Sequence, residues 1–503
     1  MSHAAPTPAA TPAAPATEQA ETARAVVNAA ALALSLGGSW VISLALRLAL
    51  PRMLGPERFG QLAFADSFAI TFLVFSSLGL DTYVRKVVSV DASKAGEFMG
   101  GAMVLRSLAT GTLVALMVGA LRLAGGDAAP VSLVVLAGLA QALLSLNTSL
   151  AALMDARGET RRTAPLAVVA KVIYAGGAAT ALLLGAGLHA VPLSMLAGEA
   201  WRCVVLWRRV DVAFPGKWRV DLRAAGRVVI ASLPFYLNIV FFSIYGELDL
   251  TLIAFGPGRV EAGYYGASNN LAALTLMLMP LLPAIVMPAG SRAAARSLEE
   301  HDRLMGAAWR VALLISIPLA VLLVVGARDV VAVVFGADYA PSWKSLVMRA
   351  PTVVLGYAST LSAIYLIQME RTWYVTLTSA AGLLVKPALS LVAIAWGHAH
   401  LGAGGAGAGA GAASLLTEFL IVVLMMRAGA RIPAAAQLRR TLVATGVPCA
   451  AAVLVHAVLP LQGLPALLAL TATYVAVGRL TGALGLGSVV HVLRLLIRRR
   501  TAS

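Results

Sequence analysis

The chain has 503 residues, a mean hydropathy of +0.85, 59% hydrophobic residues and only 12% charged residues, a composition that excludes an ordinary water-soluble domain. Its formal net charge is +16, but the basic residues lie between apolar segments, so nucleic-acid binding is excluded as the reason for that charge. Its two cysteines and seven histidines do not have the spacing of a metal site, and the sequence predicts neither a metal nor a cofactor.

Fourteen long apolar segments follow one another along the chain. Each has about the 20 residues that a helix needs to cross a hydrocarbon core of about 30 Å. Backbone polar groups in lipid must bond within their own segment, so the sequence predicts an all-α, polytopic membrane protein. The predicted helices are 28–50, 61–83, 98–121, 131–154, 164–187, 189–207, 228–254, 263–287, 304–325, 345–369, 373–396, 403–426, 441–460 and 464–482.

Lysine and arginine are distributed unequally between the predicted loops. The termini and the loops expected on the same side carry 25 of them. The loops expected on the opposite side carry 6, namely Arg52, Arg58, Arg122, Arg259, Arg328 and Lys344. Basic residues accumulate in cytoplasmic loops, so both termini are predicted to be cytoplasmic.

An internal repeat divides the chain. Residues 54–67 and 255–270 both follow a first spanning helix, make a Gly-Pro turn and enter a second helix, through Gly60 and Gly263 respectively. Aligning these glycines also pairs Asp66 with Asn269. The repeat predicts two six-helix lobes related by a pseudo-twofold axis along the membrane normal.

The repeat and the composition together predict the domain boundaries. Residues 1–24 are rich in alanine, proline and threonine and are predicted to be a disordered cytoplasmic tail. The predicted N-lobe is 25–209, a basic cytoplasmic linker is 210–227, and the predicted C-lobe is 228–427. Residues 428–503 contain two further helices and a basic tail.

Short motifs recur in a fixed order in both halves. The first half has Leu54-Gly55-Pro56-Glu57, Phe59-Gly60, Leu78-Gly79-Leu80 and Arg85. The second half has Pro234, Asp249, Ala262-Gly263-Tyr264-Tyr265, Pro280, Pro288 and Val334-Phe335-Gly336-Ala337-Asp338-Tyr339. Through these motifs residues 25–430 resemble the polysaccharide-exporter flippases, and the O-antigen and exopolysaccharide branch of the multidrug, oligosaccharidyl-lipid and polysaccharide exporter superfamily is the nearest.

The resemblance implies two six-helix lobes around a central cavity and a transporter rather than an enzyme. It implies movement of an undecaprenyl-diphosphate-linked oligosaccharide from the cytoplasmic to the outer leaflet of a bacterial inner membrane. The partners it implies are that lipid-linked oligosaccharide and membrane lipid, and it is compatible with a glycan polymerase and glycosyltransferases of the same pathway. Some members have two further helices, as this chain does.

Charged residues inside the predicted spans are candidates for function, because an unpaired charge at the bilayer centre is costly. A diphosphate needs cationic donors in a partly dry site, and the expected headgroup contacts are Arg47, Arg106, Lys171 and Lys386. The expected gating or coupling residues are Asp66, Glu247, Asp249, Arg349 and Glu418.

Structural ion pairs are the alternative interpretation of the same residues. Arg47 could pair with Asp66, Lys386 with Glu418, and Lys171 with Glu199. Residues two apart on a helix are separated by about 200°, so Glu247 and Asp249 cannot both face one narrow cavity. A further hypothesis is that Arg47 pairs with the Glu247–Asp249 segment and closes an outer gate.

Three other functions remain open from the sequence. A drug or cation antiporter of the same superfamily should have an anionic cavity, whereas basic residues outnumber acidic ones in the predicted spans. A membrane glycan polymerase or glycosyltransferase should have a large outer loop, and each predicted outer loop is short. A structural membrane protein is the last alternative.

Overall fold

The computed structural model describes residues 15–481, except 79–80, 82–83, 85–87, 90, 92–94, 96–99, 102, 126–127, 215–221, 277–278, 280 and 432–434. The described residues form α-helices and short 3-10 turns, and they contain no strand. The helices are α1 Pro15–Leu73, α2 Met103–Leu123, α3 Val131–Ala156, α4 Thr160–Leu183, α5 Ala190–Ala213, α6 Leu222–Phe255, α7 Arg259–Thr275, α8 Leu281–Ala294, α9 Leu298–Val325, α10 Ala327–Phe335, α11 Ser342–Gln368, α12 Thr372–Leu401, α13 Gly405–Arg427, α14 Ala435–Val458 and α15 Leu464–Leu480.

The predicted spans are recovered as helices. Each of the fourteen predicted segments overlaps an observed helix, and in the described part of the chain nine helices are long and apolar enough to cross a membrane. The prediction of an all-α, polytopic membrane protein is therefore confirmed. Long runs of apolar side chains can be buried in lipid only if their backbone is helical, which is why hydropathy alone located these elements.

Helix α1 combines the first two predicted spans. Its helical geometry is interrupted at Gly55, where φ is 72° and ψ is 167°. This backbone conformation is open to glycine and strained for other residues, and Pro56 directly follows it. The loop predicted between residues 50 and 61 is therefore a sharp turn within otherwise helical chain.

Helix α1 also begins earlier than predicted. It starts at Pro15, so residues 15–24, which were predicted to be disordered, are helical. Proline is favoured at the start of a helix, and glutamate, glutamine, alanine and arginine after it have high helix propensity. The helix thus extends into the predicted tail, and residues 1–14 lie outside the described part of the chain.

Two further elements differ from the prediction. The single span predicted over 263–287 is split into α7 and α8, and prolines at positions 280 and 283 cannot supply the N–H groups of a continuous helix. The loop predicted after residue 325 contains the short helix α10, whose Val330, Val331 and Phe335 are buried.

Buried side chains form two kinds of core. One cluster lies within residues 84–214, and another lies within residues 286–430. Two further clusters contain residues from both predicted lobes, with Phe64 and Tyr265 in one and Leu62 and Leu271 in the other. Each half therefore has its own core, and a shared apolar interface joins the halves.

The repeat-related glycines lie at a close backbone contact between the two halves. A Cβ built at Gly60 would overlap the carbonyl group of Arg259, and a Cβ built at Gly263 would overlap that of Pro56. The register that pairs Gly60 with Gly263 also pairs Pro56 with Arg259, so the two contacts are equivalent. The second half of α1 and α7 therefore meet across the pseudo-twofold axis.

The last two helices pack together on the outside of the C-terminal half. They contact α9 and α10. The carboxylate of Asp329 on α10 accepts a hydrogen bond of 2.6 Å from the backbone N–H of Gly463, the residue before α15. This contact fixes the start of α15 against α10.

Candidate functional site

A cavity of about 300 Å³ lies between the two halves. Helices α1, α3 and α4 line it from the N-terminal half, and α6 and α7 line it from the C-terminal half. Its polar lining consists of Ser43, Arg47, Asp66, Ser67, Gln141, Tyr174, Glu247, Asn269 and Asn270. Residues 59, 62, 63 and 266, which neighbour the Gly60–Gly263 contact, line the same cavity, so that contact borders it.

Arg47 contacts an amide in the opposite half. Its guanidinium donates a 2.9 Å hydrogen bond to Oδ1 of Asn270, and Nδ2 of Asn270 donates a 3.2 Å bond to the carbonyl of Arg47. Among the described residues, no carboxylate lies within ion-pair distance of Arg47. The possible pairs of Arg47 with Asp66 and with Asp249 are therefore not formed in this structure.

Asp66 and Glu247 face the cavity from opposite halves, Asp66 on α1 and Glu247 on α6. Asp66 and Asn269, which the repeat aligns, line the same space. Ser67 links the two halves through a hydrogen bond, because its hydroxyl on α1 donates to the carbonyl of Glu247 on α6 at 2.9 Å. With Arg47 as its cation, this cavity contains two carboxylates for one guanidinium.

Lys171 lies beside the cavity on α4 and reaches back to α1. Its Nζ donates a 2.6 Å hydrogen bond to the hydroxyl of Ser43, which lines the cavity, and lies 3.4 Å from the carbonyl of Ser39. The side chain is partly buried. In the described part of the chain no carboxylate is within 4 Å of Nζ, so the alternative pair with Glu199 is not formed.

Lys386 is neutralised inside the C-terminal half. Its Nζ lies 3.1 Å from Oδ2 of Asp249, and the two side chains are 2% and 0% exposed. Nζ also donates to the carbonyl of Tyr245 and lies 3.9 Å from the centre of the Tyr245 ring. A buried ammonium requires such a partner, and Asp249 provides it in place of Glu418.

Asp249 has hydrogen-bond donors on three other helices. It accepts bonds from the hydroxyls of Tyr265, Ser390 and Ser414 at 3.0, 2.8 and 2.9 Å. The guanidinium of Arg349 is 3.9 Å away and donates to the Tyr265 hydroxyl. This fully buried carboxylate therefore joins α6 to α7, α11, α12 and α13.

Glu247 and Asp249 point in different directions, as their spacing on the helix requires. Glu247 lines the cavity, whereas Asp249 faces the interior of its own half. Glu418 is separate from both. It accepts hydrogen bonds of 3.2 Å from the hydroxyl of Tyr245 and 2.6 Å from the hydroxyl of Ser359.

Arg106 is buried within the N-terminal half. Its guanidinium lies 3.2 Å from Oδ1 of Asp81 and donates to the hydroxyls of Ser145 and Ser149. Arg106 is 3% exposed and does not line the cavity between the halves. Asp81 lies within the second predicted span, and a search for intramembrane carboxylates would have identified it.

Uncharged polar residues of the cavity were missed from the sequence. Gln141, Tyr174 and Asn270 carry no distinctive signal in an apolar span. Ser43 was identifiable, because Ser35, Ser39, Ser43 and Arg47 follow one another every four residues and form a polar stripe on the first predicted helix.

One protein family matches this chain in sequence, and solved structures match it in fold. The family described as "Polysaccharide biosynthesis protein" matches residues 49–344. Among solved structures, the lipid II flippase MurJ in an inward closed conformation superposes with a TM-score of 0.71 at 12% identity, covering 91% of this chain and 99% of that one. No curated protein sequence matches significantly.

A second solved structure is an inward-facing multidrug resistance MATE family transporter of the MOP superfamily. Its TM-score is 0.61 at 15% identity, and the match covers 78% of this chain and 94% of that one. At these identities the likeness shows the fold alone. The chain therefore has the two-lobe transporter fold, with the predicted pseudo-twofold arrangement.

Proposed function

The chain belongs to the polysaccharide biosynthesis protein family, and from that premise we propose that it is a flippase for an undecaprenyl-diphosphate-linked oligosaccharide. The two lobes would open the space between them alternately to the two sides of the membrane. The lipid-linked sugar would cross through this space from the cytoplasmic to the outer leaflet. The two solved structures described above are of transport proteins, which supports transport rather than enzymatic chemistry.

One observation carries the assignment of the anionic headgroup. Of the four cations expected to contact it, Arg106 and Lys386 are engaged by carboxylates, whereas Arg47 and Lys171 have neutral partners among the described residues. A cation with neutral partners keeps its charge available for a ligand. Charge-assisted hydrogen bonds from Arg47 and Lys171 would hold the diphosphate at the edge of the cavity.

The remaining cavity residues suit the rest of this role. Asn269, Asn270, Gln141 and Tyr174 offer amide and hydroxyl groups that can hydrogen-bond sugar hydroxyls. The volume of about 300 Å³ is too small for an oligosaccharide, so the proposal requires the lobes to separate for substrate entry. Asp66 and Glu247 line the cavity from opposite lobes, so the distance between these two carboxylates would change when the lobes separate.

A cation-coupled drug antiporter is the second candidate. Two carboxylates and one guanidinium line the cavity, and such a lining favours a cationic solute. The second similar structure is of a multidrug resistance transporter. This candidate differs in a testable way, because its transport should depend on Asp66 and Glu247 and should not need Lys171.

The proposal includes a location and partners. The chain would lie in the bacterial cytoplasmic membrane with both termini cytoplasmic, where the lipid-linked oligosaccharide is assembled. The partners that this role requires are glycosyltransferases, which act before translocation, and a glycan polymerase, which acts after it.

Translocation of a fluorescent undecaprenyl-diphosphate oligosaccharide in proteoliposomes tests the function. We expect wild-type protein to translocate it and Lys171→Ala to lose most of this activity. Arg310→Ala is the matched control, because Arg310 is also a basic residue in a predicted span but is exposed on α9, away from the cavity. No translocation by the wild type, together with uptake of a cationic dye, would favour the antiporter.

A further inference from the structure

The fifth predicted span of each lobe contains one lysine. Lys171 lies on α4, in the fifth predicted span of the N-lobe, and Lys386 lies on α12, in the fifth predicted span of the C-lobe. Each lysine reaches the first helix of its own lobe and contacts two residues four apart. Lys171 contacts the carbonyl of Ser39 and the side chain of Ser43, and Lys386 contacts the carbonyl of Tyr245 and the side chain of Asp249.

A second pair of contacts supports this equivalence. Glu199, in the sixth predicted span of the N-lobe, accepts a 2.7 Å hydrogen bond from Asn147 in the fourth predicted span. Glu418, in the sixth predicted span of the C-lobe, accepts a 2.6 Å hydrogen bond from Ser359 in the fourth predicted span. The same pairs of predicted spans are therefore in contact in both lobes, and Ser43 and Asp249 contact the lysine of their own lobe in the same way.

The partner of the lysine differs in charge between the lobes. The carboxylate of Asp249 neutralises Lys386, which is 2% exposed. The hydroxyl of Ser43 accepts one hydrogen bond from Lys171 and leaves its charge uncompensated among the described residues. An ammonium has three donors, so Lys171 retains a donor for a ligand in the cavity that Ser43 lines.

We propose that Ser43 determines anion binding, because its neutral side chain keeps Lys171 available to a diphosphate while Asp249 makes the matching lysine of the other lobe unavailable. The diphosphate rests on the proposed function, whereas the control of Lys171 by Ser43 rests on the contacts alone. A carboxylate at position 43 would recreate the pair of the C-lobe and neutralise Lys171. The site would then lose the free charge of Lys171, although Arg47 and Lys171 are both still present.

The experiment compares Ser43→Asp with Ser43→Asn, which has nearly the same size and no charge. The first readout is modification of Lys171 by an amine-selective reagent in the full-length protein, quantified by mass spectrometry. The reagent reacts with the neutral amine, and a neighbouring carboxylate favours the unreactive ammonium, so the rate falls when Lys171 is paired; the measurement needs no substrate. We expect Ser43→Asp to slow modification of Lys171 by about tenfold and Ser43→Asn to change it by less than about threefold.

The second readout is binding of undecaprenyl diphosphate, with inorganic pyrophosphate as a parallel probe. We expect Ser43→Asp to weaken undecaprenyl diphosphate binding by about tenfold or more, and Ser43→Asn to leave it within about threefold of wild type. Pyrophosphate binding with the same contrast would assign the site to the diphosphate group alone. A contrast seen with the lipid only would assign it to the lipid-linked diphosphate.

A modification made after folding covers the case in which Ser43→Asp does not fold. Ser43→Cys in a background of Cys203→Ala and Cys449→Ala is treated with an anionic or a neutral methanethiosulfonate. The anionic reagent should reduce binding, the neutral one should not, and a reductant should restore it. Equal effects of both reagents, or equal modification of Lys171 in Ser43→Asp and Ser43→Asn, would overturn the inference.

The two readouts separate this inference from the proposed function. If the wild type binds neither probe but the contrast in Lys171 modification persists, the flippase proposal and the diphosphate assignment fail together. The control of Lys171 by Ser43 is then still supported. If the probes bind and Ser43→Asp does not weaken them, the flippase proposal stands and the inference is overturned.

Discussion

Asp249 and Lys386 form the most completely buried ion pair in the described part of the chain. Removing one partner leaves an uncompensated charge in a low-dielectric interior, which typically costs about 3–5 kcal/mol. We expect Lys386→Met to lower the melting temperature of the detergent-purified protein strongly. The double variant Asp249→Asn, Lys386→Met should be more stable than the sum of the two single effects predicts.

A double-mutant cycle by thermal melting measures this coupling. The exposed pair Glu57–Arg259, with an N–O distance of 2.9 Å, is the control, because exposed pairs contribute at most about 1 kcal/mol. Additive losses at Asp249 and Lys386 would show that the pair does not act as a unit, contrary to the geometry.

Identifying these ion-pair partners requires knowing how each helix is rotated about its own axis. The sequence placed Lys386 and Glu418 at similar depth on neighbouring helices, and that was insufficient. Lys386 pairs with Asp249 because the side chains face each other across α6 and α12, and Glu418 is turned toward Ser359 instead. Depth follows from residue count, whereas azimuth depends on packing that hydropathy does not encode.

At the scale of helices, the contact between α1 and α7 depends on two glycines. A methyl group at Gly60 or Gly263 would overlap the backbone of the opposite lobe, and backbone cannot move aside as a flexible side chain can. We expect Gly60→Ala and Gly263→Ala each to separate these helices and to increase labelling of Ala63→Cys by a membrane-impermeant thiol reagent. Ala63 lines the cavity next to this contact.

Gly111→Ala on α2 is the matched control for this prediction, because a Cβ at Gly111 meets no atom within 4 Å. The labelling is measured with Cys203 and Cys449 replaced by alanine. Unchanged labelling in both Gly60→Ala and Gly263→Ala would show that the lobes do not rely on this contact to shield the cavity.

Local chain chemistry decided which helices the sequence predicted correctly. Long apolar runs gave the spans, and the Gly-Pro motif gave the turn and the repeat that aligns Gly60 with Gly263. The short helix α10 was missed because its nine residues fall below the length of a span and its burial depends on packing against α1 and α15. Helix length is local information, but burial of a short segment is not.

For the whole molecule, the distribution of lysine and arginine predicts the orientation. Loops on one side, with the termini, carry 25 of these residues and loops on the other side carry 6. Basic residues resist translocation, so the richer side should be cytoplasmic. The fold does not fix this orientation, because a bundle of helices packs equally well in either direction.

Reporter fusions at two turns measure the orientation. A fluorescent protein fused after Gly429, which follows α13, should fluoresce, and alkaline phosphatase fused there should be inactive. After Gly402, which ends α12, the phosphatase should be active, because α13 separates these turns and they should lie on opposite sides. The reverse pattern would show that the termini lie outside the cytoplasm and that both lobes are inverted in the membrane. The cavity would then be inverted relative to the two leaflets, and the orientation on which the export proposal depends would be wrong.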